Sequence, residues 1–561
     1  MEEEVKEKKA DELFKEFKEV SITEFFRKNK AHLGYSGQVR SLTTIVHEIV
    51  TNSLDATEEA GILPEIEVEI KELGNEHYKF IERDNGPGIP VQHIPDVFGK
   101  MLAGTKFHRN VQLRGQQGIG VSGVTLFSQI TTGKPLFIRT STGNGKVNEV
   151  ELLIDITKNR ADIISQNEFS QYWRGTEVYG EVKGVKFKLT ENGPFEYLKR
   201  TALANPHTKI TFTDPEGRKT VFERSSDKIP KTPVDVKPHP NGIGVDDLVN
   251  MAKRTPAKRI SSFLVNSFSR LSTAKVKEIQ SLISFDLNKS PQRLTWQECE
   301  EIVSAFGKTK FLAPPTEGLI TIDEDHIRKS VLNILDPEFE AVLTRPPKTH
   351  SGGVAFQVEV AIAYGGHAGR LINDSEGGRK AEIMRFANRA PLLFDTGGCA
   401  ITKAINSVDW KRYGIKDFEN SPVTIFLDIV STYIPYTSAG KQSISEDKEM
   451  LKELRAALMD VGRKFQMFYS KRRRAFEKDA KKQILMKYST ELAASVAAIT
   501  NSNEKELLEE LVKLIEEKLK IENALEEEEN AEEGEEGLPE EEYDSEENSN
   551  GNGVVEEVAE E

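Results

Sequence analysis

Two glycine clusters follow an amphipathic segment with acids along its flank, and this arrangement constrains the chain more than anything else in it. In Ile45-Val46-His47-Glu48-Ile49-Val50-Thr51-Asn52-Ser53-Leu54-Asp55-Ala56 the apolar residues recur at helical spacing. At about 100° per residue, Glu48, Asn52 and Asp55 fall within roughly 60° of one another, beside the arc of Leu42, Ile45, Val46 and Ile49. One helix therefore packs its apolar side inward and lines the edge of a site with Glu, Asn and Asp. Taken alone this describes an ordinary surface helix, and it is the downstream glycines that single it out.

After the strand-like run Tyr78 to Arg83 comes Asp84-Asn85-Gly86-Pro87-Gly88-Ile89, where two glycines permit a tight turn and close ligand approach behind a carboxylate. A second cluster, Gly115-Gln116-Gln117-Gly118-Ile119-Gly120-Val121-Ser122-Gly123, leads into a helix expected to begin near Val121. Glycine amides at a helix N-terminus suit phosphate oxygens, because unpaired N–H groups and the helix dipole both favour anions. Two rival nucleotide motifs fail. Gly118 to Gly123 spells G-x-G-x-x-G, but the preceding Lys106 to Gln117 is polar and basic where a dinucleotide fold needs a buried strand. Gly307-Lys308-Thr309 ends like a P-loop, yet Ile302 stands where that motif requires glycine.

At 561 residues the chain is long enough for three or four domains of roughly 100 to 200 residues. From about 39 to 225, helical patterns alternate with strand-like runs at Ile66 to Ile70, Tyr78 to Arg83, Val150 to Ile156 and Lys209 to Phe212, which indicates α+β layers. Pro230, Pro233, Pro238 and Pro240 mark a linker, and residues 242 to 308 read as short helices. Beyond Pro314 and Pro315, the strands Ala355 to Tyr364 and Val423 to Tyr433 precede a helical stretch from about 446 to 521, a second α/β domain with a long C-terminal helix. Ahead of all this, Leu13, Phe14, Phe17, Val20, Phe25 and Phe26 make residues 12 to 31 an amphipathic arm. No run approaches the roughly 18 apolar residues of a membrane span. Met1 to Ala10 is charged and without an apolar stretch, and the only cysteines are Cys299 and Cys399, so a cytoplasmic setting without disulfides or a cysteine-rich zinc site is expected.

The net charge of −15 argues against nucleic acid only until it is divided along the chain. Ile521 to Glu561 holds 19 of the 91 acidic residues and no basic one, leaving 72 acidic against 76 basic groups before it. The body is therefore about +4. A tail of Glu, Asn, Ser and Gly buries too little apolar surface to offset its ordering entropy, and disorder is expected there.

In order, Glu48…Asn52…Asp55, Asp84-x-Gly86-x-Gly88, Gly115-x-x-Gly118-x-Gly120 and Gly175-Thr176 resemble the Bergerat fold of GHKL ATPases. The resemblance implies that Glu48 is the general base for the attacking water and that Asn52 gives an oxygen to Mg²⁺, with Asp55 beside them at the ATP. It further implies that Asp84 accepts from the adenine amine, that Gly88 lets the base lie close, and that Thr176 shapes the adenine end. Gly115, Gln116, Gln117, Gly118, Ile119, Gly120 and Val121 would form the lid on the phosphates, which Thr105 and Lys106 would also approach.

Within that superfamily Glu48 to Ala56, Asp84 to Pro90, Leu102 to His108 and Gly115 to Gly123 resemble the family of DNA topoisomerase VI B subunits, of archaeal type. Residues 236 to 308 resemble its helix-two-turns-helix domain, and Met384-Arg385-Phe386-Ala387-Asn388-Arg389-Ala390-Pro391-Leu392-Leu393 resembles its transducer. The implied organisation is an arm or strap at 1–34, a Bergerat-fold α/β sandwich ATPase at 35–235, the helix-two-turns-helix domain at 236–308, an α/β transducer at 309–470, a helical stalk for partner docking at 471–521 and an acidic tail at 522–561. Lys441, in Tyr436-Thr437-Ser438-Ala439-Gly440-Lys441-Gln442-Ser443, would by the same resemblance reach the γ-phosphate. The implied activity is that of an ATP-dependent type II topoisomerase: ATP closes two copies as a gate around a duplex, and hydrolysis resets it for strand passage and supercoil relaxation. DNA cleavage would belong to a separate A subunit in a heterotetramer. A mismatch-repair-type ATP clamp shares the ATP site but does not need the insertion at 236 to 308. A chaperone is a further alternative, and a sensor kinase would need a phosphoacceptor His module ahead of the ATPase.

Candidate DNA contacts are Lys253, Arg254, Lys258, Arg259 and Arg270 in the helical module, and Arg379-Lys380, Lys411-Arg412 and Lys471 to Arg474 farther on. Trp410 and Tyr413 beside Lys411-Arg412 are expected to pack rather than stack on bases. None of the 12 tyrosines has the setting of a cleavage nucleophile, and Asp323 in Asp323-Glu324-Asp325 suits a helix N-cap better than a metal site. Ile484, Leu485, Leu492, Ala493, Val496 and Ile499 recur at helical spacing beyond any core of their own and are the candidate docking stripe for the cleavage subunit.

Overall fold

The structure, a computed structural model, describes residue 24 and residues 28–31, 33–104, 110–115, 118–232, 234–350, 352–372, 378–438 and 440–535, with side chains to 519. Most of the Phe-rich arm, Leu13 to Phe26, lies outside them. The chain divides into two compact units, Met1–Phe468 and Tyr469–Glu561.

Helix α1 (Gln38–Glu59) has neither Gly nor Pro within it and buries Leu42, Ile45, Val46, Ile49, Val50 and Leu54. It is followed by β1 (Glu65–Gly74), β2 (His77–Asp84), the short α2 (Ile94–Gly99), α3 (Gly120–Thr132), β3 (Leu136–Thr142), β4 (Lys146–Asp155), β5 (Arg160–Ser170), β6 (Arg174–Lys183), α4 (Pro194–Ala204), β7 (Lys209–Thr213) and β8 (Lys219–Phe222). The strands form one sheet in the order β5-β4-β3-β6-β2-β1-β7-β8, with β1 and β7 its parallel pair. A single core joins α1, α3 and α4 to this sheet through residues such as Ile45, Ile49, Leu126, Leu198, Val68 and Phe80. On β2, Tyr78, Phe80, Glu82 and Asp84 are buried in alternation, so the inward face that builds the core also delivers two carboxylates to its edge.

Helices α5 (Val245–Arg254), α6 (Ile260–Ser267), α7 (Thr273–Gln280) and α8 (Trp296–Lys308) make a small helical module with its own core of Leu248, Ile260, Phe263, Leu264, Ile279, Cys299, Ile302 and Phe306. Thr295 and Glu298 close a capping box at the start of α8, and Gly307-Lys308 is its last turn rather than a phosphate loop.

The next layer contains α9 (Glu324–Leu335), β9 (Phe339–Thr344), β10 (Lys348–Thr349), β11 (Ala355–Tyr364), β12 (Arg370–Leu371), β13 (Arg379–Lys380), β14 (Glu382–Ala387), β15 (Ala390–Pro391), α10 (Ala400–Asn406) and β16 (Val423–Ser431). Its main sheet runs β10-β11-β16-β14-β15, with β9 also paired to β11. Leu203 and Ala204 of α4 enter its core beside Val342, Ala361, Met384, Phe386 and Phe426, so the two sheets are joined through one shared helix. Asp323 caps α9 as expected, its Oδ1 accepting from His326 N at 3.0 Å.

Helix α11 (Lys448–Thr500) buries Met450, Leu454, Leu458, Val461 and Phe465 within the first unit. In the second unit it is followed by α12 (Glu504–Glu535). The single helical stretch expected from 446 to 521 is thus broken. Asn501 takes a left-handed φ of 57 and Asn503 Oδ1 accepts from Lys505 N at 3.1 Å, so one asparagine ends a helix and another starts the next. The expected boundary of the disordered tail at 522 also shifts, because the Glu- and Ala-rich residues to Glu535 favour helix; residues 536–561 lie outside the described ones. Among the described residues no helix is long and apolar enough to cross a membrane.

Candidate functional site

Helix α1 presents Glu48 and Asn52 half-buried on one edge, with Asp55 buried one turn on. Asn52 Nδ2 donates to the Glu48 carbonyl at 2.6 Å, which commits the amide nitrogen and leaves Oδ1 to act as an acceptor. Glu48 lies against the start of α3: a Cβ added to Gly120 would stand 2.0 Å from Glu48 Oε2. A side chain at position 120 would displace that carboxylate.

Asp55 is engaged by the residues that open the lid. Its Oδ1 accepts from Arg114 Nη1 at 2.9 Å and its Oδ2 from Gly115 N at 3.2 Å, so it holds the lid's base. Gly118 takes a φ of 57, Ile119 precedes α3, Gly120 begins it, and half-buried Val121 packs on the core. Thr105, Lys106, Gln116 and Gln117 lie outside the described residues.

Asp84 closes the opposite end. Its Oδ1 accepts from Gly86 N at 2.7 Å and Thr176 N at 3.1 Å, while Ser53 Oγ stands 3.2 Å from Oδ2 and 2.7 Å from Glu82 Oε1. Burial raises the pKa of both carboxyls, and the Asp84 charge raises Glu82 further. Three donors, Gly86 N, Thr176 N and Ser53 Oγ, oppose the shift of Asp84, whereas at Glu82 Ser53 alone does so. Gly88 has a φ of 73, and a Cβ there would lie 2.1 Å from the Ser141 carbonyl. Ile89 N donates to Thr140 Oγ1 at 2.8 Å, and Thr140 Oγ1 is 3.4 Å from Thr176 Oγ1. Ser53, Glu82 and Thr140 were not read from the sequence, although the period-two burial of β2 already pointed Glu82 inward.

Lys441 arrives from the loop after β16. Its Nζ donates to the Arg114 carbonyl at 3.1 Å, beside the lid's first glycine. On α1, burial lowers the His47 pKa, with Glu48 raising it and the Lys441 charge lowering it.

The basic clusters divide. Lys253, Arg254, Lys258, Arg259, Lys380, Lys411 and Arg412 are exposed. Arg379, half-buried, donates through Nη1 to the carbonyls of His367 at 2.9 Å, Ala368 at 3.3 Å and Gly369 at 2.9 Å, which ties that nitrogen to its own loop. Arg270 is exposed but donates through Nε to the Ala313 carbonyl at 3.0 Å. Trp410 and Tyr413 are buried, with Trp410 Nε1 on the Ile405 carbonyl at 3.0 Å and its ring stacked on Phe418, the packing role expected of them. In the second unit Lys471 to Arg474 are exposed; the docking stripe is split, with Ala493 buried, Leu485 and Val496 half-buried, and Ile484, Leu492 and Ile499 exposed.

An acid-lined helix, a buried aspartate behind a glycine turn and a glycine lid at a helix N-terminus define an ATPase of the histidine kinase-, DNA gyrase B- and HSP90-like kind, whose family model matches residues 37–157. A second model, topoisomerase VI B subunit, transducer, matches residues 314–482. The chain is 47% identical over 557 residues to the type 2 DNA topoisomerase 6 B subunit of Pyrococcus horikoshii, covering 91% of this chain and 97% of that protein. It is 48% identical over 513 residues to that of Methanothermobacter thermautotrophicus, covering 90% and 97%. The chain belongs to the family of type 2 DNA topoisomerase 6 B subunits, as the ATPase subunit of an ATP-dependent type II topoisomerase. Among solved structures, the ATPase region of Saccharomyces cerevisiae topoisomerase II aligns at 12% identity with a TM-score of 0.39, covering 82% of this chain and 98% of that one.

Proposed function

We propose that ATP binds between α1, the Asp84 turn and the 115–120 lid, and that its binding closes two copies of the chain around a DNA duplex. The adenine amine donates to Asp84, Gly88 lets the base lie against the sheet, and Thr176 and Thr140 fill the adenine end. Glu48 takes the proton from the attacking water, and the lid amides of Gly115 to Gly120 receive the phosphates. Thr105, Lys106, Gln116 and Gln117 belong to the same phosphate end. The contact of Glu48 with Gly120 carries this reading, because it sets a carboxylate beside an anion-attracting helix terminus, where a base would stand next to bound phosphate. Asp55 positions Arg114 and Gly115 at the lid's base.

Asn52 Oδ1 is a hard donor of the kind Mg²⁺ accepts. Among the described residues no group of three or more His, Cys, Asp or Glu side chains could hold a metal. A cation held at Asn52 would neutralise phosphate charge. Lys441 leaves the Arg114 carbonyl for the γ-phosphate, so hydrolysis and phosphate release return it.

We place the duplex against the exposed Lys253, Arg254, Lys258, Arg259, Lys380, Lys411 and Arg412, and the cleavage (A) subunit on the exposed Ile484, Leu492 and Ile499. The assembly is a cytoplasmic heterotetramer, in keeping with the buried, unbridged Cys299 and Cys399. The test is the mass of the full-length chain with a non-hydrolysable ATP analogue. Conversion of monomers to dimers supports the gate, and a monomer at saturating analogue contradicts it.

A further inference from the structure

The segment that leads into the lid, residues 110–115, is bonded to many separate parts of the molecule. Asn110 N donates to Asp235 Oδ1 at 2.9 Å and its carbonyl accepts from Val236 N at 3.1 Å. Gln112 exchanges two bonds with the Ile320 backbone, at 2.9 and 2.6 Å. The Leu113 carbonyl accepts from Asn388 Nδ2 at 3.3 Å. Arg114 gives its carbonyl to Lys441, and its guanidinium is enclosed by Asp55 at 2.9 Å, Glu58 at 2.7 Å and Asn205 at 2.5 Å.

Glu58, at the end of α1, is where two guanidiniums meet. Arg389 Nη2 donates to its Oε2 at 2.8 Å, Arg114 Nη2 to its Oε1, and His207 Nε2 lies 2.9 Å from Oε1. Glu58, Arg114, Arg389 and His207 are all buried. Burial alone would raise the Glu58 carboxyl; the two arginines and His207 outweigh it and hold the group well below the usual carboxylate range.

Arg389 belongs to the turn between β14 and β15, where Asn388 and Arg389 take φ values of 50 and 66, left-handed for two residues that are not glycine. The surroundings impose this. Asn388 exchanges side-chain bonds of 2.9 Å with both backbone groups of Ser431, and Arg389 N donates to Asp428 Oδ2 at 3.1 Å. The turn thus holds two left-handed residues by side-chain bonds and touches the lid segment at Leu113.

We propose that Glu58 is a positioning residue for ATP turnover: it ties the lid's base at Arg114 to the transducer turn at Arg389, so that departure of Lys441 from the Arg114 carbonyl moves lid and transducer as one body. The proposal rests on the γ-phosphate role given to Lys441. Glu58 is buried against Arg114, Arg389 and His207 and acts through the arginines. Without it the Arg389 guanidinium loses its carboxylate partner, and Arg114 keeps only Asp55 of its two.

The experiment uses the full-length chain with Glu58→Gln, with Glu58→Gln/Arg389→Gln, which restores the charge balance, and with Arg389→Lys, which keeps the charge but loses the fork geometry. Thermal unfolding, ATP affinity, steady-state hydrolysis and analogue-driven dimerisation are measured on each. For the double variant the expected result is near wild-type unfolding and ATP affinity within about threefold, with hydrolysis and dimerisation reduced about tenfold or more. Arg389→Lys keeps its fold and shows a smaller loss of the same two activities. Wild-type hydrolysis and dimerisation in the folded double variant, or in Arg389→Lys, would reduce Glu58 to charge balance and overturn the proposal; so would loss of ATP binding in a folded variant. Lys441→Ala run in parallel separates the two ideas. Wild-type turnover there, with losses in the Glu58 set, sinks the lysine role and keeps the tie.

Discussion

Lys441 Nζ rests on the backbone carbonyl of Arg114, 327 residues away in sequence and one residue before the lid. A hydrogen bond to a neutral carbonyl is weaker than one to a phosphate oxygen, where charge assists the bond. Lys441→Ala is therefore expected to bind nucleotide while losing much hydrolysis and strand-passage coupling. The check is ATP affinity beside steady-state turnover, and unchanged turnover would return Lys441 to a structural role.

Asp84 and Glu82 predict opposite outcomes from neighbouring carboxyls. Asp84→Ala removes the acceptor for the adenine amine and two backbone ties, and ATP affinity should fall by at least about tenfold, the scale of one hydrogen bond to a charged group. Glu82→Gln mimics the protonated acid and should keep both fold and affinity. Equilibrium nucleotide binding decides, and equal losses in the two variants would refute the assignment of the adenine acceptor to Asp84.

Stability should depend on pH through a second buried pair. Glu359 on β11 lies directly opposite Asp428 on β16. Burial and then the Asp428 charge push Glu359 up to about 8, and burial pushes Asp428 up to about 6. The folded chain therefore keeps protons that the unfolded chain releases, so the stability these groups give is complete below the unfolded carboxylate range and is lost as pH rises through about 6 and then about 8. Asp428→Asn removes the opposing charge, lowers the Glu359 pKa and should flatten the loss between about pH 6 and 8. Denaturant midpoints across that range test it, and an unchanged slope in the variant would count against the pair.

Much of this architecture is local in the sequence. The apolar spacing of Leu42 to Leu54 is enough to build α1 and to set Glu48 and Asn52 on its edge. The Asp84 and Gly115–Gly123 clusters carry the turn and the lid in the residues that form them. What is not local was not legible. Strand β5 is an edge strand with nearly every residue exposed, so it has no alternation to read. Glu58 and Arg389 are 331 residues apart, and nothing near either one announces the other. Arg379 counts as a basic residue in composition, but its Nη1 is turned onto the carbonyls of His367, Ala368 and Gly369, a contact that only folding decides.

The division of labour between subunits gives a further expectation. The purified chain should hydrolyse ATP but neither cleave nor relax DNA, because both activities are assigned to the assembly with a separate cleavage subunit. Plasmid relaxation by the lone chain would overturn it. Charged substitutions at exposed Leu492 and half-buried Val496 should abolish association with the cleavage subunit while sparing analogue-driven dimerisation.

The central claim is that α1, the Asp84 turn and the glycine lid form an ATP-hydrolysing site whose base is Glu48. Its most direct test is Glu48→Ala, with ATP affinity and single-turnover hydrolysis measured on the same preparation. Binding should stay close to wild type while the hydrolysis rate falls by about 100- to 10,000-fold, the usual contribution of a positioned general base. Wild-type hydrolysis in that variant, or loss of binding without loss of rate in the molecules that do bind, would contradict the account.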